Sequence, residues 1–402
     1  MSRVRFALAA LAVGALAPVA NAQLSNDALG AFNTAVQSGD NGAIISASTA
    51  LMDNAIANPS DPNATVAAYE AALKLCERQA CESALRGAEF TTRQPDTGAH
   101  PLMSDRELLR AYAEFATDSD GSSRRGLREA LEAVRDRDPS YLSMRAGHAL
   151  YSEFVRRGDW RDAWRIASSE ADHLYPVRSV VSEAYYGARQ NAAVSFFYSE
   201  QTRESHELIA RWNAETAQAV SQVVDAGYAA PEWLEANYWQ SEALLRLADY
   251  WFYSYDTDNS LASMRAQGRR IQPMTDAQRE RVYAEYPLAI PEELFFFSIP
   301  EDQLPFCRGE LIQEPELEYP NSITNFWAGV GVVYIKLHFE EDGSVNDVEL
   351  LASIPASSDF EENTLETARQ WHYEVAADEE RENCRLSLYP YDYNVVFYIG
   401  RN

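Results

Sequence analysis

Residue types that make or break covalent bonds are few in this 402-residue chain, and their spacing decides what they can do. Four cysteines are present, and in an oxidising compartment their ordinary chemistry is pairing. Cys76 and Cys81 on one unbroken helix would project about 140° apart around the axis, too divergent to bond. They pair only if the helix breaks between them. Cys307 and Cys384 flank a strand-rich stretch, where a bridge would close a long loop and stabilise by about 4 kcal/mol on chain entropy. Metal binding is the rival reading for the cysteines, but no His or further Cys stands near either pair to complete a ligand set. The six histidines, at 100, 148, 173, 206, 338 and 372, are scattered. There is no His-Glu-x-x-His, no Gly-x-Ser-x-Gly, no phosphate-cradling glycine loop and no dinucleotide fingerprint. Carboxylates are abundant, but abundance is not a site. A non-enzymatic protein without cofactor or metal is therefore expected, and the chemistry left to it is recognition.

Recognition needs an element that presents donors and acceptors in a row, and the C-terminal quarter supplies candidates. Val333, Ile335, Leu337 and Phe339 recur at two-residue spacing, which places them on one face of a strand. Asp342-Gly343 then offers the positive φ angles of a hairpin turn, and Val345, Val348 and Leu350 continue as a second strand. Phe360, Leu365 and Ala368 follow at helical spacing. Tyr393 to Ile399 closes the chain with a further apolar strand. Its alternation puts Tyr393, Val395, Phe397 and Ile399 toward the helices and leaves the residues Asn394, Val395, Val396, Phe397 and Tyr398 as a candidate recognition edge, since unpaired N–H and C=O groups on an outer strand are what strand addition requires. A long acidic connector folded over that edge would block it.

Several fixed spacings agree here at once: Tyr319-Pro320, the run from Gly331 through Phe339 to Asp342-Gly343 and Val345, then Ser353-x-Pro355, Phe360-Glu361 and Trp371-x-Tyr373-Glu374. Together they resemble the TonB C-terminal domain over about residues 310–400. The resemblance implies a small α+β domain with a three-stranded antiparallel sheet and helices on one face. It also implies binding of short extended peptides by strand addition, with TonB-dependent outer-membrane transporters as the partner class.

Residues 24–275 read as helices throughout. Ser104-Asp105-Arg106-Glu107 has the form of a capping box, and Asp138-Pro139-Ser140 stops one helix and starts another, whose stripe is Leu142, Ala146, Ala149 and Phe154. Gly39-Asp40 and Gly158-Asp159 each mark a turn between paired helices, the second followed by Ala163 and Ala167 at close-packing spacing. Such pairs resemble divergent tetratricopeptide repeats and predict a stack of helical hairpins. The rings of Trp233, Tyr238, Trp239, Tyr250, Trp251, Phe252, Tyr253 and Tyr255 spread all round their helix, which favours packing over a peptide groove. The expected organisation is a signal peptide at 1–22, an all-α TPR-like solenoid at 23–275, a linker at 276–305 docked through Phe295-Phe296-Phe297, and a TonB-like domain at 306–402.

Arg3 and Arg5 before the apolar stretch Phe6 to Ala20, with Ala20-Asn21-Ala22 after it, have the order of a secretory signal peptide cleaved after Ala22, which predicts a periplasmic protein with no stable membrane insertion. The formal charge is −27, with 21 acidic residues against six Lys or Arg from Glu301 onward. That balance disfavours nucleic acid and anionic lipid, and it steers basic peptides inward or simply keeps the surface solvated. Two functions of different kind are expected: an adaptor that binds extended peptides at the strand edge, and a scaffold whose helical region is the main binding surface.

Overall fold

The computed structural model describes residues 24–95, 104–200, 203–249, 276–286, 308–313, 330–339, 342–354, 358–375 and 391–400. Residues 1–22, expected as a signal peptide, the aromatics from Tyr250 to Tyr255, Phe295 to Phe297, Cys307 and Cys384 lie outside them. Packing separates two compact units, Met1–Ala146 and Gly147–Asn402.

The first unit is a succession of helices, α1 (Asn26–Ser38), α2 (Asn41–Ala57), α3 (Ala64–Glu77), α4 (Leu85–Arg93), α5 (Arg106–Thr117), α6 (Gly121–Ala133) and the first turns of α7 (Tyr141–Arg156), and from α1 to α6 each packs on the next. The α1–α2 turn forms as its residues require: Gly39 takes φ 73°, which a side chain would strain, and the Asp40 carboxylate accepts the Ala43 N–H at 2.6 Å. Gly87 of α4 lies so close to α2 that an added Cβ would stand 2.5 Å from Met52 Sδ. After α3 the helix does break: Gln79 has φ 61° and a short 3-10 turn, Cys81–Ala84, follows. That reversal brings the two Cα atoms to 3.9 Å and joins Cys76 to Cys81 in a disulfide.

The expected capping box does not form. Asp105 precedes α5 without capping it; Ser104 Oγ instead donates to the Asp105 carboxylate at 3.4 Å, which also takes Arg137 at 3.0 Å from across the unit. Ser140 does cap α7, its hydroxyl accepting the Ser143 N–H at 3.1 Å.

In the second unit the remainder of α7 turns into α8 (Trp160–Leu174) through Gly158 at φ 72°. Ala163, Ala167 and Ala171 are buried along α8, and on α7 Leu150 takes the buried place expected of Ala149. Helices α9 (Ser182–Glu200), α10 (Arg203–Asp225) and α11 (Glu232–Asp249) complete the bundle, with Phe197, Trp212 and Tyr238 wholly buried between them. Part of the stretch read as a linker is helix α12 (Asp276–Glu285), whose Val282 joins the same core.

Five strands follow: β1 (Arg308–Gln313), β2 (Val330–Phe339), β3 (Val345–Ile354), β4 (His372–Val375) and β5 (Tyr391–Gly400), with helix α13 (Ser358–Ala368) between β3 and β4. β1 pairs antiparallel with β4 as a small separate sheet. The other three form an antiparallel sheet in the order β3-β2-β5. Its hairpin is wider than a two-residue turn: Phe339 pairs with Val345, Gly343 takes φ 86°, and the Ser344 N–H and hydroxyl both donate to Asp342.

Helices cover the sheet on both faces, not one. Val333, Ile335 and Leu337 are buried beneath α13, which packs on β2 and β3. The alternate set, Val332 and Tyr334 with Ala352 and Ile354 of β3, is buried in the core of α9 to α12, and α11 packs directly on the two strands. The physical reason is visible in the chain: Val330-Gly331-Val332-Val333-Tyr334-Ile335 is a continuous apolar run, which belongs to a strand buried on both sides. Leu350, expected in the second apolar set, is instead 37% exposed. Pairing skips from Tyr334↔Ala352 to Ile335↔Leu350, so Leu351 is an extra residue in a bulge, and it is Leu351 that packs on the helical core.

Candidate functional site

The expected recognition edge is built on β2. Because its Val332, Val333, Tyr334, Ile335 and Leu337 are at most 4% exposed, β2 is fixed from above and below and holds its neighbours in register. Trp239 of α11 meets Tyr334 edge-on, ring centroids 5.3 Å apart, and burial pushes the hydroxyl of the adjacent Tyr238 far up from its ordinary range. The aromatics Tyr238 and Trp239 therefore pack; they do not line a groove.

Register along β2 sets Lys336 opposite Asn394, Ile335 opposite Val395, Tyr334 opposite Val396, Val333 opposite Phe397 and Val332 opposite Tyr398. The five residues expected at the edge thus lie along the middle of the most buried strand. β5 is the outer strand, with one side of its backbone paired to β2 and, among the described residues, no strand paired to the other. Alternate N–H and C=O groups of such a strand point away from the sheet. The side chains of β5, and the connector 376–390, lie outside the described residues.

The opposite outer strand differs. At the start of β3 the Val345 N–H donates to the Trp371 carbonyl at 3.4 Å and Ser344 bridges to His372, so the chain entering β4 already occupies that end. Near the same end Lys336, 8% exposed, is held by Glu349 at 3.0 Å, and register places His338 between Asp347 of β3 and Asp392 of β5. The hydroxyl and N–H of Ser344 hold the Asp342 carboxyl below the usual carboxylate range.

In two other places charged groups pair with one another. Between α4 and α5 a shallow cavity of about 350 Å³ is lined by Glu89, Arg93, Glu107, Arg110 and Glu114, but Arg93 pairs with Glu89 at 2.8 Å and Arg110 with Glu107 and Glu114 at 3.2 and 2.5 Å. Wholly buried His206 bonds Asp249 at 3.0 Å, and the Tyr283 hydroxyl of α12 donates to the same carboxylate at 2.6 Å, which ties α12 to the bundle. No group of three or more His, Cys, Asp or Glu placed to hold a metal occurs among the described residues.

Sequence reasoning located the edge strand and missed what fixes it. Trp239 and Tyr334 are far apart in the chain, and no local pattern signals their contact; the apolar run from Val330 to Ile335 was the only available sign.

Residues 328–395 match the family described as Gram-negative bacterial TonB protein C-terminal. No curated protein and no solved structure matches the chain. The matched span contains β2, β3, α13 and β4 whole and the first half of β5, whereas Tyr319-Pro320 and β1 precede it. Residues 328–395, which carry most of the three-stranded sheet, are thus similar to the TonB C-terminal family.

Proposed function

We propose that this is a non-catalytic protein, exported to the periplasm after cleavage at Ala22, in which the outer side of β5 takes an extended peptide segment of a cell-envelope or outer-membrane transport protein by strand addition. TonB-dependent outer-membrane transporters are the partner class that the family match suggests. The observation that carries the reading is the terminal place of β5 in the order β3-β2-β5, beside a central strand buried on both faces. A rigid strand with one side of its backbone unpaired offers affinity through main-chain hydrogen bonds without having to reorganise.

The test exploits backbone alternation. Consecutive N–H groups in a strand point to opposite sides, so of Val395→Pro and Val396→Pro one removes a donor facing β2 and the other a donor facing outward. The variant that keeps its circular dichroism spectrum should bind a transporter-derived peptide about tenfold more weakly, the effect of one lost hydrogen bond and an obstructing ring. Undiminished binding by that folded variant would place the peptide elsewhere.

One observation favours the scaffold reading as a second function. Arg178 lies 4.0 Å over the ring of exposed Tyr175, which continues through Tyr185 and Tyr186 to Trp233 with centroids 6.0, 5.3 and 6.0 Å apart. Tyr185 is buried and Tyr186 and Trp233 pack on the helical core, so the row anchors one exposed tyrosine–arginine pair, and Tyr and Arg are residues that concentrate at protein-binding hot spots. Substituting Tyr175 and Tyr186 by Ala should release partners that the β5 variants retain.

A further inference from the structure

The exposed tyrosine–arginine pair stands at one end of the helical bundle, and more than that pair is exposed there. Helices α9 and α11 begin at this end, where Tyr186 of one and Trp233 of the other have ring centroids 6.0 Å apart. Between them α10 runs back, its Glu215 held by Arg189 of α9 at 2.9 Å. The turn before α9, residues 175–181, and the turn before α11, residues 226–231, therefore both lie at this end. They carry Tyr175, Val180 and Tyr228, which at 53, 51 and 72% are the most exposed large apolar side chains among the described residues. Such residues are ordinary when scattered singly; gathered at one place they mark an interaction surface. Charge here runs against the rest of the chain, which has 61 acidic residues to 34 Lys and Arg. The charges acting on the Tyr185 and Tyr186 hydroxyls are two arginines, Arg178 and Arg189, and a single carboxylate, Glu215. That carboxylate is already engaged, by Arg189 and, at 3.9 Å, by Arg211. Arg178 is left without an ion pair among the described residues: its guanidinium lies over the Tyr175 ring, and Nη1 donates to the Tyr175 carbonyl at 2.9 Å.

We infer, on the scaffold reading above, that this end of the bundle docks a protein segment carrying a carboxylate beside apolar side chains. Arg178 takes the carboxylate, and Tyr175, Val180 and Tyr228 take its apolar neighbours. The guanidinium is stacked and hydrogen-bonded before the partner arrives, so little side-chain freedom is lost on binding, and its planar fork suits a carboxylate. A protein segment fits better than an anionic bilayer, because a chain of net charge −27 is repelled by a broad negative surface while a single carboxylate meets only the local arginine surplus. An ion pair formed at an exposed arginine changes affinity by roughly two- to fivefold.

Three synthetic peptides with one Leu/Phe framework, carrying two Glu, two Gln or two Lys, would be titrated into the full-length protein, its Arg178→Gln variant and a double variant, Tyr175→Ser with Tyr228→Ser. All three substituted side chains are exposed, so circular dichroism should be unchanged throughout. The Glu peptide should bind at least twofold tighter than the Gln peptide, and the Lys peptide weakest. Arg178→Gln should erase the difference between Glu and Gln, whereas the tyrosine variant should weaken every peptide and keep their order. Equal binding of the Glu and Gln peptides by the parent overturns the carboxylate selection and leaves the scaffold reading standing. Binding of none, by a folded parent, overturns that reading as well. Two further results assign the surface to another occupant and overturn the inference: dimerisation of the parent in sedimentation velocity that the tyrosine variant abolishes, and co-sedimentation of the parent, but not of that variant, with phosphatidylglycerol vesicles.

Discussion

Single residues in the structure carry consequences that can be measured one at a time. The disulfide Cys76–Cys81 closes a very short loop, so its loss costs little for a disulfide: about 2 kcal/mol on chain entropy. Replacing both cysteines by serine should lower the denaturation midpoint of the helical unit to that extent, and dithiothreitol should do the same to the parent and nothing to the variant. Glu170 lies with its carboxylate against the backbone of Gly147, an added Cβ there being 3.2 Å from Oε2, and burial raises its pKa to about 8. The folded state then binds a proton that the unfolded state releases from about pH 4.5, so stability contributed at low pH is lost as pH rises through 8. In Glu170→Gln, urea unfolding followed between pH 5 and 9 should lose that decline, and the variant should be more stable than the parent above pH 8. Neither Gly147 nor Glu170 could be singled out beforehand, because the close approach of two helices has no local signature. Cys76 and Cys81 could: the requirement for a break between them was readable from their spacing, and Gln79 at φ 61° supplies it.

Elements, in contrast, were largely legible wherever their own residues determine them. The turns at Gly39-Asp40 and Gly158-Asp159, the start of α7 at Ser140, and the hairpin at Asp342-Gly343 follow from capping and positive φ, which are local. What local rules do not reach is partnership. β1 has only Leu311 and Ile312 as apolar content and acquires strand structure by pairing with β4. Similarly, the second face of the sheet is closed by α11, so the strands alone are an incomplete fold. A fragment comprising residues 306–402 would expose Val332, Tyr334, Leu351, Ala352 and Ile354 together. It should therefore self-associate in sedimentation velocity and bind a hydrophobic dye, whereas a fragment beginning at Gly147 should remain monomeric and dye-free. In the intact chain Trp239→Ala should cost about 3–5 kcal/mol, as large-to-small core changes do, and broaden the register of β2.

The whole molecule is an acidic chain of two compact units, and within the second of them the segment of known family and the helices that precede it share one core. Among the described residues no helix is long and apolar enough to cross a membrane. The order Arg3, Arg5, apolar stretch and Ala20-Asn21-Ala22 gives the export prediction: intact-mass measurement on periplasmic extract should find a chain starting at Gln23. A chain retaining Met1 to Ala22 in the membrane fraction would contradict it.

The double burial of β2 has a further consequence, for the timescales on which the sheet opens. β2 is bonded on both sides and covered on both faces, so its amide protons should be among the slowest in the protein to exchange with deuterium. β5 shares that protection on its inward side only. Its exchange rates should alternate residue by residue, slow for amides bonded to β2 and fast for those directed outward. An added strand would slow the fast set and leave the slow set unchanged, converting a two-period pattern into a uniform one. The strand thus carries its own isotopic reporter, legible without label or mutation, of whether its outer side is occupied.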